Sequence, residues 1–119
     1  MKKLFLMVIA TLALIAGDEK MLPATNFAEI PKSAKMIEFG AESCYSCQQM
    51  GKLLYKLKQE DPSLPLYFVN VMKQRDVAFE YKIRMIPTQI FFDKNNSVIY
   101  RHIGMLKKEE ILKLLKENR

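Results

Sequence analysis

Apolar positions along the chain fall into runs whose spacing changes between that of strands and that of helices. The first informative run, Met36-Ile37-Glu38-Phe39, has strand length. It leads through Gly40-Ala41-Glu42-Ser43 into a segment where Met50, Leu53, Leu54 and Leu57 recur at helical spacing, and Asp61-Pro62 stops that helix. Leu64 to Val71 is a continuous apolar run, as expected for a strand covered on both faces. Asp76 to Tyr81 reads as a short helix with Val77, Ala78 and Tyr81 inward. Gln89-Ile90-Phe91-Phe92 and Val98 to Ile103 flank the turn-rich Asp93-Lys94-Asn95-Asn96-Ser97, which predicts a hairpin. After Gly104, Lys107 to Asn118 is an amphipathic helix that offers Ile111, Leu112, Leu114 and Leu115 to a core.

Upstream of the first strand, a connector with Pro23 and Pro31 has room for a short helix. Thr25 or Asn26 can cap it, setting Phe27 and Ile30 on one side, against the sheet. Gly51 interrupts the first long helix at a cost of about 1 kcal/mol relative to Ala in an exposed helix interior. It reads either as a bend or close contact, or as a tolerated small residue.

The N-terminus follows another pattern. Met1-Lys2-Lys3, an apolar run from Leu4 to Ala16, then Gly17 and Asp18-Glu19-Lys20 match a secretory signal peptide. The run is short for a membrane span, which needs about 20 residues. Cleavage after Ala16 or Gly17 would put Leu14 or Ile15 where a small residue is preferred, so an uncleaved anchor stays open as the alternative. No cysteine follows the run, which excludes a bacterial lipoprotein anchor. Either way a periplasmic or otherwise exported domain is expected. The chain thus divides into residues 1–17 (signal peptide or anchor), 18–33 (connector) and 34–119 (one folded domain).

Composition narrows the class. With 119 residues, 50% hydrophobic and 27% charged, the chain is an ordinary globular domain rather than a disordered one. A domain of this size can stand without disulfide staples. The formal net charge of +6 includes Lys2 and Lys3, and much of the rest lies near the C-terminus, in Lys107, Lys108, Lys113, Lys116 and Arg119. Cations in the last turns of a helix complement its dipole and stay solvated. There is no Trp, and the aromatics are not interleaved with the basic residues, so no nucleic-acid partner is expected.

The chemistry concentrates in Cys44-Tyr45-Ser46-Cys47, at the corner between the first strand and its helix, where both cysteines of the chain lie. Two cysteines at this spacing can close a small ring or share a metal. With His102 as the single histidine, one chain cannot assemble the usual four-ligand Cys/His zinc site, and no metal is expected. If Cys44 opens the helix, the unpaired amides and the positive end of the dipole favour its thiolate. Cys44 is then the candidate nucleophile and Cys47 its resolving partner.

The order strand, Cys-x-x-Cys helix, strand, helix, Ile86-Pro87-Thr88, hairpin, helix resembles the thioredoxin family from about Ala34 to Asn118. Ile83-Arg84-Met85-Ile86-Pro87-Thr88 is similar to the family's loop before its cis-proline, Glu38-Phe39-Gly40-Ala41-Glu42 stands where the family has acid-Phe-Trp-Ala-Glu, and Gly104 matches a glycine after the last strand. The resemblance implies an α/β fold with a central mixed sheet of about four strands and helices on both faces. It further implies that Cys44 attacks a substrate disulfide, that Cys47 resolves the mixed disulfide, and that Pro87 is cis beside Cys44, with Ile86, Thr88 and Tyr45 among the groups that meet substrate. For Glu38 two roles stay open: acceptor of the Cys47 proton, or a salt-bridged strand residue. Tyr45 likewise reads as a substrate contact or an exposed ring.

Departures are visible. Gly40 and Ser43 replace the family's two tryptophans, Tyr45-Ser46 replaces Gly-Pro, and Phe68 stands at the place of a lysine near the buried acid. The chain has no room for the inserted or dimerising domains of exported oxidases and isomerases, which favours a reductase acting as a monomer on protein disulfides. No nicotinamide fingerprint is present and no cofactor is expected, so a membrane electron transporter is the expected reductant. The competing readings are a binding module with a fixed Cys44–Cys47 disulfide and, third, delivery of a soft ion such as Cu(I).

Overall fold

The Met36–Phe39 run becomes the centre of a sheet because it is apolar on both faces. The computed structural model describes residues 20–118, so the N-terminal leader pattern lies outside the described residues. Strands β1 (Lys35–Gly40), β2 (Leu66–Asn70), β3 (Thr88–Phe92) and β4 (Val98–Ile103) form one sheet in the order β2-β1-β3-β4. β1 is buried along its whole length. It runs parallel to β2 and antiparallel to β3, and β3 and β4 form the antiparallel hairpin. The parallel pair needs a long crossover, which helix α1 (Tyr45–Glu60) supplies. β2 begins later than its apolar run suggests because Pro65 has no N–H to give. The Pro65 carbonyl instead accepts from Met36 N–H at 3.0 Å.

Alternation along the strands separates two cores. On one face Met36, Leu66, Phe68 and Phe91 lie under Met50, Leu54 and Leu57 of α1 and Ile111 and Leu115 of helix α3 (Lys108–Glu117). Leu112 and Leu114 are half-buried against the edge of this core. On the other face Ile37, Phe39, Val69, Ile90 and Phe92 meet Ile30, Phe27, Val77 and Tyr81. This second layer is thin, a 3-10 turn at Phe27–Glu29 and the six-residue helix α2 (Arg75–Glu80). It leaves Val98, Ile99 and Ile103 of β4 exposed.

The connector is stitched to the sheet. Asn26 caps the 3-10 turn by accepting from Ala28 N–H, Ala24 makes a parallel bridge to Phe68, and Thr25 N–H donates to the Phe68 carbonyl at 2.8 Å. Leu22 N–H donates to the Gly51 carbonyl at 2.9 Å, and Met21 lies against the same glycine. A Cβ at Gly51 would stand 2.7 Å from Met21 Cε, so the glycine marks a close contact rather than a bend. In the hairpin turn the Asp93 carboxylate accepts from Asn95 and Ser97 N–H, both at 2.9 Å, and Asn96 takes the left-handed conformation at φ 64°.

Candidate active site

Four chain segments meet at one end of the sheet: the β1–α1 corner, the turn after β2, the loop entering β3 and the loop leaving β4. Gly40 ends β1, and Cys44 is the N-cap of α1. Its sulfur accepts from Cys47 N–H at 3.3 Å and lies 3.4 Å from the Ser46 hydroxyl. This is the capping geometry of a Ser or Asp with sulfur in place of oxygen, and it aims the helix's unpaired amides at the thiol. Cys44 is partly exposed, whereas Cys47, one turn in, is 2% exposed. Its sulfur rests over Gly40, where an added Cβ would sit 3.1 Å from both Cys47 Cβ and Sγ. A side chain there would press on Cys47, which would have to give by a few tenths of an ångström.

The two thiols have opposite electrostatics. Desolvation works against ionisation of Cys44, but hydrogen bonds from Cys47 and Ser46 outweigh it and hold the thiol below its ordinary value. For Cys47 desolvation dominates, and the hydrogen bond to Cys44 adds to it, so its thiol is pushed up to about 12. One sulfur is ready to attack and the other must lose a proton first.

Glu38 is 1% exposed on the α1 face of the sheet. Burial pushes its carboxyl up to about 8, against a hydrogen bond from Gln89 that pulls the other way, and charge on Cys44 raises it further. Its polar partner is an amide rather than a cation: Gln89 Nε2 donates to both carboxylate oxygens at 3.2 Å. The strand register explains the arrangement. Phe68, Glu38, Gln89 and His102 stand in one row across β2, β1, β3 and β4.

The remaining candidates fall as follows. The Ile86–Pro87 peptide is cis, and β3 starts at Thr88 opposite Phe39, which puts Pro87 at the Cys44 end of the sheet. Gly104 N–H donates to the Pro87 carbonyl at 2.8 Å, and at φ +98° Gly104 holds a conformation that suits glycine. Ile86 is half-buried, in a shallow groove it shares with Met72, Arg75, Phe79 and Arg84. Thr88 is buried, and its hydroxyl donates to the Met85 carbonyl at 2.6 Å, so the side chain shapes the loop from within. Tyr45 stands 76% exposed beside Cys44, and Met72, Met85 and Met105 on the neighbouring loops are also exposed. Sequence reasoning passed over this methionine rim and over Gln89. The signal for Gln89 was a polar residue in an otherwise apolar strand, meaningful only once β3 is known to lie beside Glu38. Among the described residues no group of His, Cys, Asp and Glu could hold a metal ion.

Comparison with known proteins follows the same lines. The thioredoxin family model matches residues 19–117. The thioredoxin of Mycoplasma pneumoniae is 34% identical over 82 residues, covering 69% of this chain and 79% of that protein. The thioredoxin of Mycoplasmoides gallisepticum is 31% identical over 97 residues, covering 77% and 96%. Among solved structures, mitochondrial thioredoxin 3 of Saccharomyces cerevisiae superposes with a TM-score of 0.59 at 27% identity, covering 71% of this chain and 78% of that one. Thioredoxin NaTrxh of Nicotiana alata reaches 0.64 at 22% identity, covering 75% and 76%, a likeness of fold.

Proposed function

The chain belongs to the thioredoxin family of thiol-disulfide oxidoreductases, and on that premise we propose that it is an exported reductase of protein disulfides working through Cys44 and Cys47. The observation that carries this reading is the asymmetry of the two thiols, one capping α1 with its ionisation favoured and one buried with its ionisation opposed. The Cys44 thiolate attacks one sulfur of a substrate disulfide and expels the other as a thiolate, leaving a mixed disulfide. Cys47 then gives its proton to the Glu38 carboxylate and attacks Cys44 Sγ. The second substrate thiolate leaves, the Cys44–Cys47 disulfide forms, and two electrons have passed to the substrate.

Glu38 suits the acceptor role because burial makes its carboxylate a much stronger base than an ordinary one. The same shift leaves it mostly protonated at neutral pH, so resolution quickens as pH rises toward about 8. Around Cys44 the cis Ile86–Pro87 bond, Tyr45 and the exposed methionines offer an apolar rim for an extended substrate segment. The N-terminal basic and apolar pattern supports export to the periplasm or an equivalent compartment, cleaved or anchored. There a membrane electron transporter would return the pair to the dithiol, and the domain would act as a monomer.

The equilibrium reduction potential of the Cys44–Cys47 pair tests the direction of electron flow. A value near about −270 mV supports an electron donor, whereas one near about −120 mV marks an oxidant and overturns the reductase reading. Mass analysis of the chain recovered from the exported fraction separates a cleaved from an anchored form, and its absence from that fraction rejects export.

A further inference from the structure

The amide of Gln89 is held on three sides. Its Nε2 donates to the Glu38 carboxylate and to the Gly104 carbonyl, the latter at 2.9 Å, while its Oε1 lies 2.8 Å from His102 Nδ1. The Gly104 carbonyl can only accept, so the NH2 group must face it and Glu38, and Oε1 must face His102. Oε1 in turn can only accept, so His102 Nδ1 carries a proton. Every polar atom of a fully buried side chain is thereby used, and none of this depends on whether Glu38 holds its proton.

We propose that Gln89 is a positioning residue for dithiol chemistry, locked by Gly104 and His102 so that it always presents N–H to the Glu38 carboxylate that receives the Cys47 proton. This rests on the proton-acceptor reading of Glu38. The geometry gives it content. Phe68, the neighbour of Glu38 on the β2 side, supplies no donor, so the acid's polar support lies on the β3–β4 side. An amide already aimed at the carboxylate stabilises the charge without rearranging during the reaction.

The ionisable groups around Glu38 are few. From the corner and α1 come Cys44 and Cys47, and His102 reaches it from β4 through Gln89; β2 presents Phe68. The other charged side chain buried among the described residues, Lys35, belongs to the opposite end of β1. Gln89 also links the acid to the loop leaving β4, since Gly104 gives its carbonyl to the amide and its N–H to Pro87.

The test is stopped-flow resolution of the mixed disulfide formed by Cys44 with an aromatic disulfide whose leaving thiolate is coloured, followed from pH 5 to pH 10. In the wild type the rate should rise through a midpoint near the Glu38 value. Gln89→Met keeps the volume but removes the donor, and should move the midpoint up by about 1 to 2 pH units, slowing resolution at pH 7 by about tenfold or more. His102→Leu should move it in the same direction by less, and His102→Gln, which restores a donor to Oε1, should bring it back. In a Glu38→Gln background Gln89→Met should change nothing further. An unchanged midpoint in Gln89→Met beside a lost one in Glu38→Gln overturns the role of Gln89 alone. A profile unchanged by Glu38→Gln overturns the acceptor reading beneath it. Should Gln89→Met fail to fold, the His102 variants decide: identical midpoints in His102→Leu, His102→Gln and wild type overturn the proposal.

Discussion

Two charged side chains on β1, Lys35 and Glu38, are almost completely buried, 3% and 1% exposed, and the protein treats them in opposite ways. Lys35 donates to the Pro31 carbonyl at 2.8 Å, to the Ser33 carbonyl at 3.3 Å and to Asn96 Oδ1, and its ammonium lies 4.4 Å from the centre of the Phe92 ring. Three donors meet three acceptors. Glu38 has one amide to share between two oxygens, too little to offset burial, which pushes its carboxyl up to about 8. A buried charge with full coordination fastens the connector and the hairpin turn to β1. One that is under-supplied is what the proposed transfer of the Cys47 proton calls for.

The contrast can be broken first at the reactive end. Cys44→Ser should abolish disulfide reduction while leaving the unfolding free energy within about 0.5 kcal/mol, because Ser keeps the N-cap of α1. Alkylation at pH 7 should strike Cys44 and spare the buried Cys47 in the native protein, and equal labelling of the two would contradict their opposite shifts. At the other end, Lys35→Met should cost about 3 kcal/mol in denaturant unfolding, since it strands buried oxygens of residues 31, 33 and 96, yet leave the rate of reduction unchanged.

Stability against pH sharpens the comparison, because the two ends carry slopes of opposite sign. Between the ordinary Glu value of 4.5 and about 8, folded Glu38 keeps a proton that the unfolded chain has lost, so Glu38 makes stability fall as pH rises through that window. Glu38→Gln should remove this component, gaining roughly 1–3 kcal/mol over wild type at pH 9 and nothing at pH 4. Desolvation lowers Lys35 from 10.5, so below that value the unfolded chain holds the extra proton and the lysine makes stability rise with pH. The smallest effect belongs to Asn96→Gly, which suits the left-handed backbone at that position but withdraws one acceptor from Lys35. About 1 kcal/mol should be lost, with activity unaffected.

Most of the element order was legible because strands and helices here announce themselves by period, and the Cys44 corner because its flanking runs are so unlike. What escaped was set by register. Gln89 and His102 read as an isolated polar residue in a strand and as a lone histidine until β1, β3 and β4 align them with Glu38. Lys35 gave no sign of its burial, since its acceptors come from positions 31, 33 and 96, of which the last belongs to a turn distant in sequence. The two open roles of Glu38 narrowed for a related reason. Among the described residues no cation pairs with it, and the place where the family has a lysine is filled by the ring of Phe68. The short helix expected between the connector's prolines is there, as a three-residue 3-10 turn capped by Asn26 with Phe27 and Ile30 against the sheet.

The stitching of the connector has a mechanical side. If residues 1–17 tether the domain, a pull on the chain reaches the sheet through residues 22–25, where it meets the bonds from Leu22 to Gly51 and from Thr25 to Phe68 one after another. Bonds met singly peel apart at low force, whereas the parallel pair of β1 and β2, five residues in register, must be sheared together. The first segment would therefore yield as a slack line, and tension would reach β1, with Glu38 beneath the dithiol, only after the line had run out.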